Sequence, residues 1–140
     1  MLGVEKQIYI LPLAPPEQLV ERAAQHDVGL ALEPGETPNR RVAVTNKILN
    51  YFLAGLAIAA SDVPGQRGIM ERAPGAGFLF PSGDANALAA YFREWLHNPA
   101  KLVAAKAGSK RHGENRFYWD REKASLIQAV AKVIGKSVKP

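Results

Sequence analysis

The sequence contains no cysteine. Disulfide frameworks, thiolate zinc sites and a cysteine nucleophile are excluded together. Long hydrophobic runs are missing too: the longest, Tyr51 to Ala60, is far short of a membrane span and is interrupted by Gly55. No basic region leads from Met1 into an apolar stretch, so no secretory signal is expected and a cytoplasmic, reducing compartment is. The three histidines, His26, His97 and His112, are too widely separated for a ligand spacing, and no metal site is expected. A Gly-x-Ser-x-Gly elbow is absent, as are the glycine-rich phosphate fingerprints of dinucleotide-binding and P-loop proteins.

What is present fits one globular domain. A chain of 140 residues can bury roughly 68–70% of the surface its unfolded form exposes. Its 47% hydrophobic and 22% charged content is too apolar for disorder. The net charge of +5 is uneven: residues 93–140 hold 11 Lys and Arg against 4 Asp and Glu, whereas residues 1–92 hold 7 against 9. A basic last third can attract nucleic acid or an anionic membrane face, and no amphipathic anchor is clear. The plainer reading is the solvated face of two long helices.

Along the chain, short apolar runs alternate with helical patterns. Gln7–Leu13 (QIYILPL) reads as a strand, closed by Pro15 and Pro16, and a helix carries Leu19, Val20, Ala23 and Ala24. Val28–Leu32 reads as a second strand, and Glu36 to Val44 as a polar loop. Thr45 then caps a helix from Asn46 to about Ala54, which Gly55 ends. Ala57–Ser61 is a third strand, and Val63-Pro64-Gly65 turns into a short helix through Ile69 and Met70. Gly77–Pro81 is a fourth strand. Asp84 or Ser82 caps a helix with Leu88, Tyr91, Phe92, Trp95 and Leu96 on one stripe, and Pro99 opens a basic helix. Asp120 caps a last helix bearing Leu126, Ile127, Val130, Val133 and Ile134, after which residues 136–140 should fray.

Continuous apolar strands joined by helices predict an α/β fold, a Rossmann-like open parallel sheet with helices on both faces. Ligands of such sheets sit beyond the carboxyl ends of the strands. That directs attention to Pro34–Thr45, Ser61–Gly68 and Pro81–Ala85. The start of the helix at Asn46 offers free backbone N–H groups to an anion. Lys47 in its first turn has the wrong charge for the helix dipole and suits a shared anion; exposed first-turn lysines are also common. Arg40 and Arg41 add cations to the loop, and Arg67 with Gly68 is in a position to reach a phosphate. Ser61-Asp62 ends a strand, where turn chemistry accounts for it equally well.

Six segments, in order over about 120 residues, resemble the carboxyl-terminal, nucleotide-sugar-binding domain of GT-B-fold glycosyltransferases of the large retaining family 4. They are Leu13–Leu19, His26-Asp27-Val28, Thr45–Gly55 (TNKILNYFLAG, similar to "sNKlfEYmaaG"), Ala57–Gly65, Gly77–Leu88 (GFLFPSGDANAL, similar to "GllvppgDpeaL") and Asn115–Trp119. The resemblance implies the carboxyl-terminal half of a GT-B architecture. Residues 1–119 would form a partial sugar-nucleotide domain and 120–135 a closing helix. It implies sugar transfer from a nucleotide-sugar substrate to an unspecified acceptor, retaining and metal-independent, with no cofactor.

By the same resemblance, the amides of Thr45 and Asn46 face the donor diphosphate or sugar. Asn50 stands where the family has the glutamate that holds the ribose hydroxyls, a change that forgoes a charge-assisted bond worth about 1.5–3 kcal/mol. The family's other glutamate falls at Val42, which cannot serve, and Glu36 is the substitute the loop offers. Phe117, Tyr118 and Trp119 should pack where the last helix crosses back. The family's amino-terminal domain and first strand–helix units have no counterpart here, so the isolated chain is expected to be inactive. Exposed strand edges would invite a homodimer. Two other readings remain: a non-catalytic nucleotide-binding or interaction module, and nucleic-acid binding through the helices between Arg93 and Lys139.

Overall fold

A computed structural model describes residues 3–135. The tail 136–140, expected to fray, lies outside the described residues. Three strands, β1 (Val28–Ala31), β2 (Ala57–Ser61) and β3 (Gly77–Phe80), form a parallel sheet in that order. The register sets Val28 opposite Ala57 and Ile58 opposite Gly77. Every residue of β2 is buried, as an unbroken Ala-Ile-Ala-Ala-Ser run in mid-sheet requires. The α/β parallel architecture is therefore as expected, with three of the four anticipated strands.

The helices are α1 (Leu19–Ala23), α2 (Pro38–Val42), α3 (Asn46–Ala54), α4 (Pro64–Met70), α5 (Ala85–His97), α6 (Pro99–Asn115) and α7 (Trp119–Val133). Side chains alternate across the strands and split the core in two. Ala31, Ile58 and Ala60 meet Ile48 and Phe52 of α3 and Ile69 of α4. Val28, Ala57 and Phe78 meet Phe92 and Trp95 of α5 and Ala105 of α6. From there α6 continues past the amino ends of the strands. Its Gly108 lies on the backbone of Gly75 and Ala76, and its Gly113 on that of Phe52. Gly55 ends α3 at φ 70°, in the left-handed geometry expected of it.

Several expectations are corrected. Residues 8–15 form no strand: Ile10 is 95% and Leu13 100% exposed. The apolar composition of QIYILPL supplies strand propensity, but a strand needs a paired neighbour, and Pro12 and Pro15 withhold two amides. The loop from Glu36 to Val44 contains a helical turn, α2, which Thr37 caps by accepting from the Arg40 N–H at 3.3 Å. Asp84 is the cap of α5, accepting from the Ala87 N–H at 2.9 Å. On that helix Leu96 is exposed, while Tyr91 stacks on Phe78 with centroids 4.1 Å apart. Helix α7 starts at Trp119, one residue before the expected cap Asp120. Phe117 packs on Phe52 at 4.7 Å, but Tyr118 and Trp119 are exposed. The apolar stripe of α7 is also exposed, and of its residues only Ala131 is buried.

Two ion pairs of 2.7 Å tie neighbouring segments together. Lys106 Nζ of α6 lies 2.7 Å from Asp27 Oδ1, just before β1. Arg67 of α4 grips Asp62 with Nε on Oδ1 and Nη2 on Oδ2, both at 2.7 Å. That fork outweighs the desolvation that opposes it and holds the Asp62 carboxyl below its ordinary value. A carboxyl depressed in the folded state contributes stability above its unfolded pKa and loses it as pH falls through the folded one. Asp62→Asn is accordingly expected to lower the thermal midpoint slightly at neutral pH, the gap closing in acid. A gap that stays constant into strong acid would contradict this assignment. The effect is small because the pair is half exposed.

Candidate functional site

The carboxyl ends of the three strands are laced together by hydroxyls. The Glu33 N–H donates to Ser61 Oγ at 2.7 Å, and Ser61 Oγ donates to the Glu33 carbonyl at 2.8 Å. Ser82 Oγ reaches the carbonyls of Glu33 and Pro34 at 3.0 and 3.1 Å. These bonds explain a serine at the end of β2 and another after β3: each satisfies loop carbonyls that no strand partner reaches. The cavity they frame, about 280 Å³, is mostly apolar, with Leu32, Phe80 and Leu88 in its lining.

Beside this crevice begins α3. Thr45 occupies the N-cap position at φ −85°, ψ 150°, yet its side chain caps no amide. Thr45 Oγ1 is buried and has no hydrogen-bond partner. The first turn therefore lacks the side-chain acceptor expected of Thr45, and its N–H groups keep their partial positive charge unneutralised by the cap. Asn46 and Asn50, four residues apart, share one side of the helix, and Lys47 and Asn50 share the adjoining one.

Two hollows flank α3. The first, about 380 Å³, is lined by Arg22, His26, Lys47, Asn50 and Tyr51, with Leu11–Ala14 closing one side. No carboxylate lines it. The second, about 680 Å³, has Asn46, Asn50, Arg72, Arg116, Trp119 and Glu122 in its lining. Asn50 borders both. Lys47 Nζ sits 3.5 Å from Glu33 Oε1, and this carboxylate is nearly buried while the lysine is half exposed. The pair links the end of β1 to the first turn of α3. Tyr51 lies against Gly29, and its hydroxyl donates to the Leu30 carbonyl at 3.3 Å on the outer edge of β1.

Of the expected site residues, Thr45, Asn46, Lys47 and Asn50 thus stand together on the open start of α3. Glu36 is exposed and lines neither hollow. Glu33, three residues earlier, is the carboxylate that meets Lys47. A sign of it was legible: a charged residue directly after the apolar run Val28–Leu32 must sit where that strand leaves the sheet. The Arg67 guanidinium is occupied by Asp62. Among the described residues, no group of three or more His, Asp or Glu side chains could hold a metal ion. In the basic last third, Lys101, Lys106 and Lys123 are paired with Glu94, Asp27 and Asp120. No helix among the described residues is long and apolar enough to cross a membrane.

Fold and site together define an open α/β domain with a cationic, acid-free hollow beside an uncapped helix start. No family model matches the chain, and no curated protein matches it.

Proposed function

We propose that this chain is the donor-binding domain of a Rossmann-like, GT-B-type glycosyltransferase. In this reading a sugar passes from a nucleoside diphosphate to an acceptor hydroxyl with retention of configuration. The observation that carries the reading is the convergence of Arg22, His26, Lys47 and Asn50 on one hollow at the uncapped start of α3. A nucleoside diphosphate asks for cations and neutral donors side by side. Lys47 Nζ on the wall of this hollow and the Thr45 and Asn46 amides in the adjoining first turn of α3 take the diphosphate, and the Asn50 amide exchanges hydrogen bonds with ribose hydroxyls. Arg22 and His26 add donors along the same wall.

Transfer breaks the bond between the anomeric carbon and the phosphate oxygen. The anomeric carbon bonds to the acceptor oxygen, and the acceptor's proton passes to the departing diphosphate or to water. Negative charge then gathers on the departing diphosphate, and pre-placed N–H groups and cations stabilise it with little reorganisation. Glu33 holds Lys47 in position on the crevice side.

The test is a titration of the chain with UDP, GDP and ADP, followed by backbone amide NMR. Shifts confined to Thr45–Asn50 and the walls of the first hollow are expected, and their order ranks the base. Lys47→Ala should weaken the best nucleotide about tenfold, as loss of a charge-assisted hydrogen bond requires. A folded sample that shows no shift at millimolar nucleotide would refute the reading.

A further inference from the structure

The second hollow, about 680 Å³, has two arginines in its lining, Arg72 and Arg116. Each is fixed by one N–H on a main-chain carbonyl at the carboxyl end of α4. Arg72 Nε donates to the Gly68 carbonyl at 2.8 Å, and Arg116 Nη1 to the Arg72 carbonyl at 3.0 Å. Bonds of this kind satisfy the last carbonyls of a helix. They engage one corner of each guanidinium and leave the rest of its fork for another acceptor. Among the described residues neither arginine has an ion-pair partner: the paired carboxylates belong to Lys47, Arg67, Lys101, Lys106 and Lys123. Glu122 lines the same hollow and pairs with neither.

Beside this charge the lining is apolar. Leu49 and Leu53, one turn apart on α3, supply a floor together with Ile69 of α4 and Phe117, which is anchored on Phe52. Trp119 stands at the rim, 63% exposed. Guanidinium forks match phosphate oxygens two at a time. A sugar phosphate laid on the floor would strand hydroxyls without partners, whereas hydrocarbon gains by leaving water there.

We propose that the second hollow binds a phosphomonoester with a hydrocarbon body, its phosphate between Arg72 and Arg116 and its chain on Leu49, Leu53, Ile69 and Phe117. The charge selects the occupant. A purely apolar partner would cover two guanidinium groups and leave them unpaired, a cost that an anion removes. The inference does not use the nucleotide reading, whose cations line the first hollow.

Tryptophan emission tests it. Of the two tryptophans, Trp95 is 8% exposed and Trp119 63%, so a blue shift on binding reports Trp119. Butyl, hexyl and octyl phosphate, each below its micelle concentration, should bind with affinity rising at least about tenfold along the series, since a fully buried methylene is worth about fourfold. Inorganic phosphate should bind more weakly than any of them, and octyl glucoside at equal concentration should give no shift. Arg72→Gln and Arg116→Gln should each weaken octyl phosphate about tenfold, with far-UV circular dichroism unchanged. Added salt should weaken it in the unaltered chain too, a reading that needs no variant to fold. Sedimentation with phosphatidylcholine vesicles, with and without phosphatidate, then separates a bilayer headgroup from a free amphiphile as the source. A shift with octyl glucoside equal to that with octyl phosphate would overturn the proposal, reducing the hollow to an apolar patch. Equal affinity from butyl to octyl would overturn it in favour of a plain anion site. So would binding that neither the variants nor salt weaken, or no shift at millimolar octyl phosphate.

Discussion

Gly77→Ala is expected to be the most damaging single methyl that can be added to this domain. Gly77 opens β3 at φ 153°, a backbone conformation that L side chains rarely adopt. A Cβ built there collides with the Ile58 carbonyl oxygen and lies 2.7 Å from its carbon and 2.8 Å from its nitrogen, where real Cβ contacts keep 3.0 Å or more. All three atoms are main chain in β2, the strand buried along its whole length. They cannot rotate aside as a side chain can. Relief requires β3 to move off β2, which would also break the Ile58 N–H to Ala76 carbonyl bond of 2.9 Å. The cost should exceed about 4 kcal/mol, within the class of large backbone and overpacking effects. Against a total of about 5–15 kcal/mol for a domain, that is roughly a quarter or more of the stability. With a urea slope of about 2 kcal/mol/M, the midpoint should fall by about 2 M. A midpoint within a few tenths of the wild type would show that β3 is not seated on β2 as described.

That position illustrates which parts of the structure a sequence can disclose. Glycine at the head of GFLF suggests a turn, but nothing local says that the Ile58 backbone comes up against it. Local chemistry sufficed for α3: the spacing of Ile48 and Phe52 fixes the buried face, and Gly55 stops the helix. It sufficed equally for β1 to β3, whose apolar runs are short and bounded by turns. It failed for residues 7–13, because pairing is a relation between two segments and composition describes only one. It failed for α7 as well: the stripe is real, but periodicity cannot say whether anything lies against it.

The candidate site divides in the same way. Thr45, Asn46, Lys47 and Asn50 are consecutive or one turn apart, so their grouping follows from helical geometry alone. Glu33 meets Lys47 only because β1 ends beside the start of α3, a fact of tertiary structure. Arg22 and His26 join them from α1 and the turn after it. Gln66 is fully buried in α4 with neither amide atom bonded, an arrangement that propensity argues against.

The second large effect concerns α6 and separates packing from helix propensity. Glycine inside a helix costs about 1 kcal/mol relative to alanine, so Gly→Ala in a helix should stabilise wherever a methyl fits. Gly68 in α4 has nothing within 4 Å of a built Cβ. Gly68→Ala is therefore expected to raise stability by about 0.5–1 kcal/mol. Gly108 and Gly113 in α6 have the same propensity to gain and no room to gain it. A Cβ at Gly113 would stand 2.5 Å from the Phe52 carbonyl oxygen and 2.7 Å from its carbon. At Gly108 it would strike the Gly75 carbonyl, with that carbon at 2.8 Å. The neighbours are again backbone: the last turns of α3 in one case, the entry to β3 in the other. Close approach of α6 is what lets one helix bind both, so each methyl pushes it off a whole element. Gly108→Ala and Gly113→Ala should each lose about 2–4 kcal/mol net, the overpacking cost exceeding the propensity gain. The double variant should lose less than the sum, since once α6 has lifted at Gly108 it has partly cleared Phe52 at Gly113. Urea denaturation of the four proteins decides the matter. If Gly108→Ala and Gly113→Ala behave like Gly68→Ala, propensity governs all three positions and α6 does not lie against the backbone of α3 and the β3 entry.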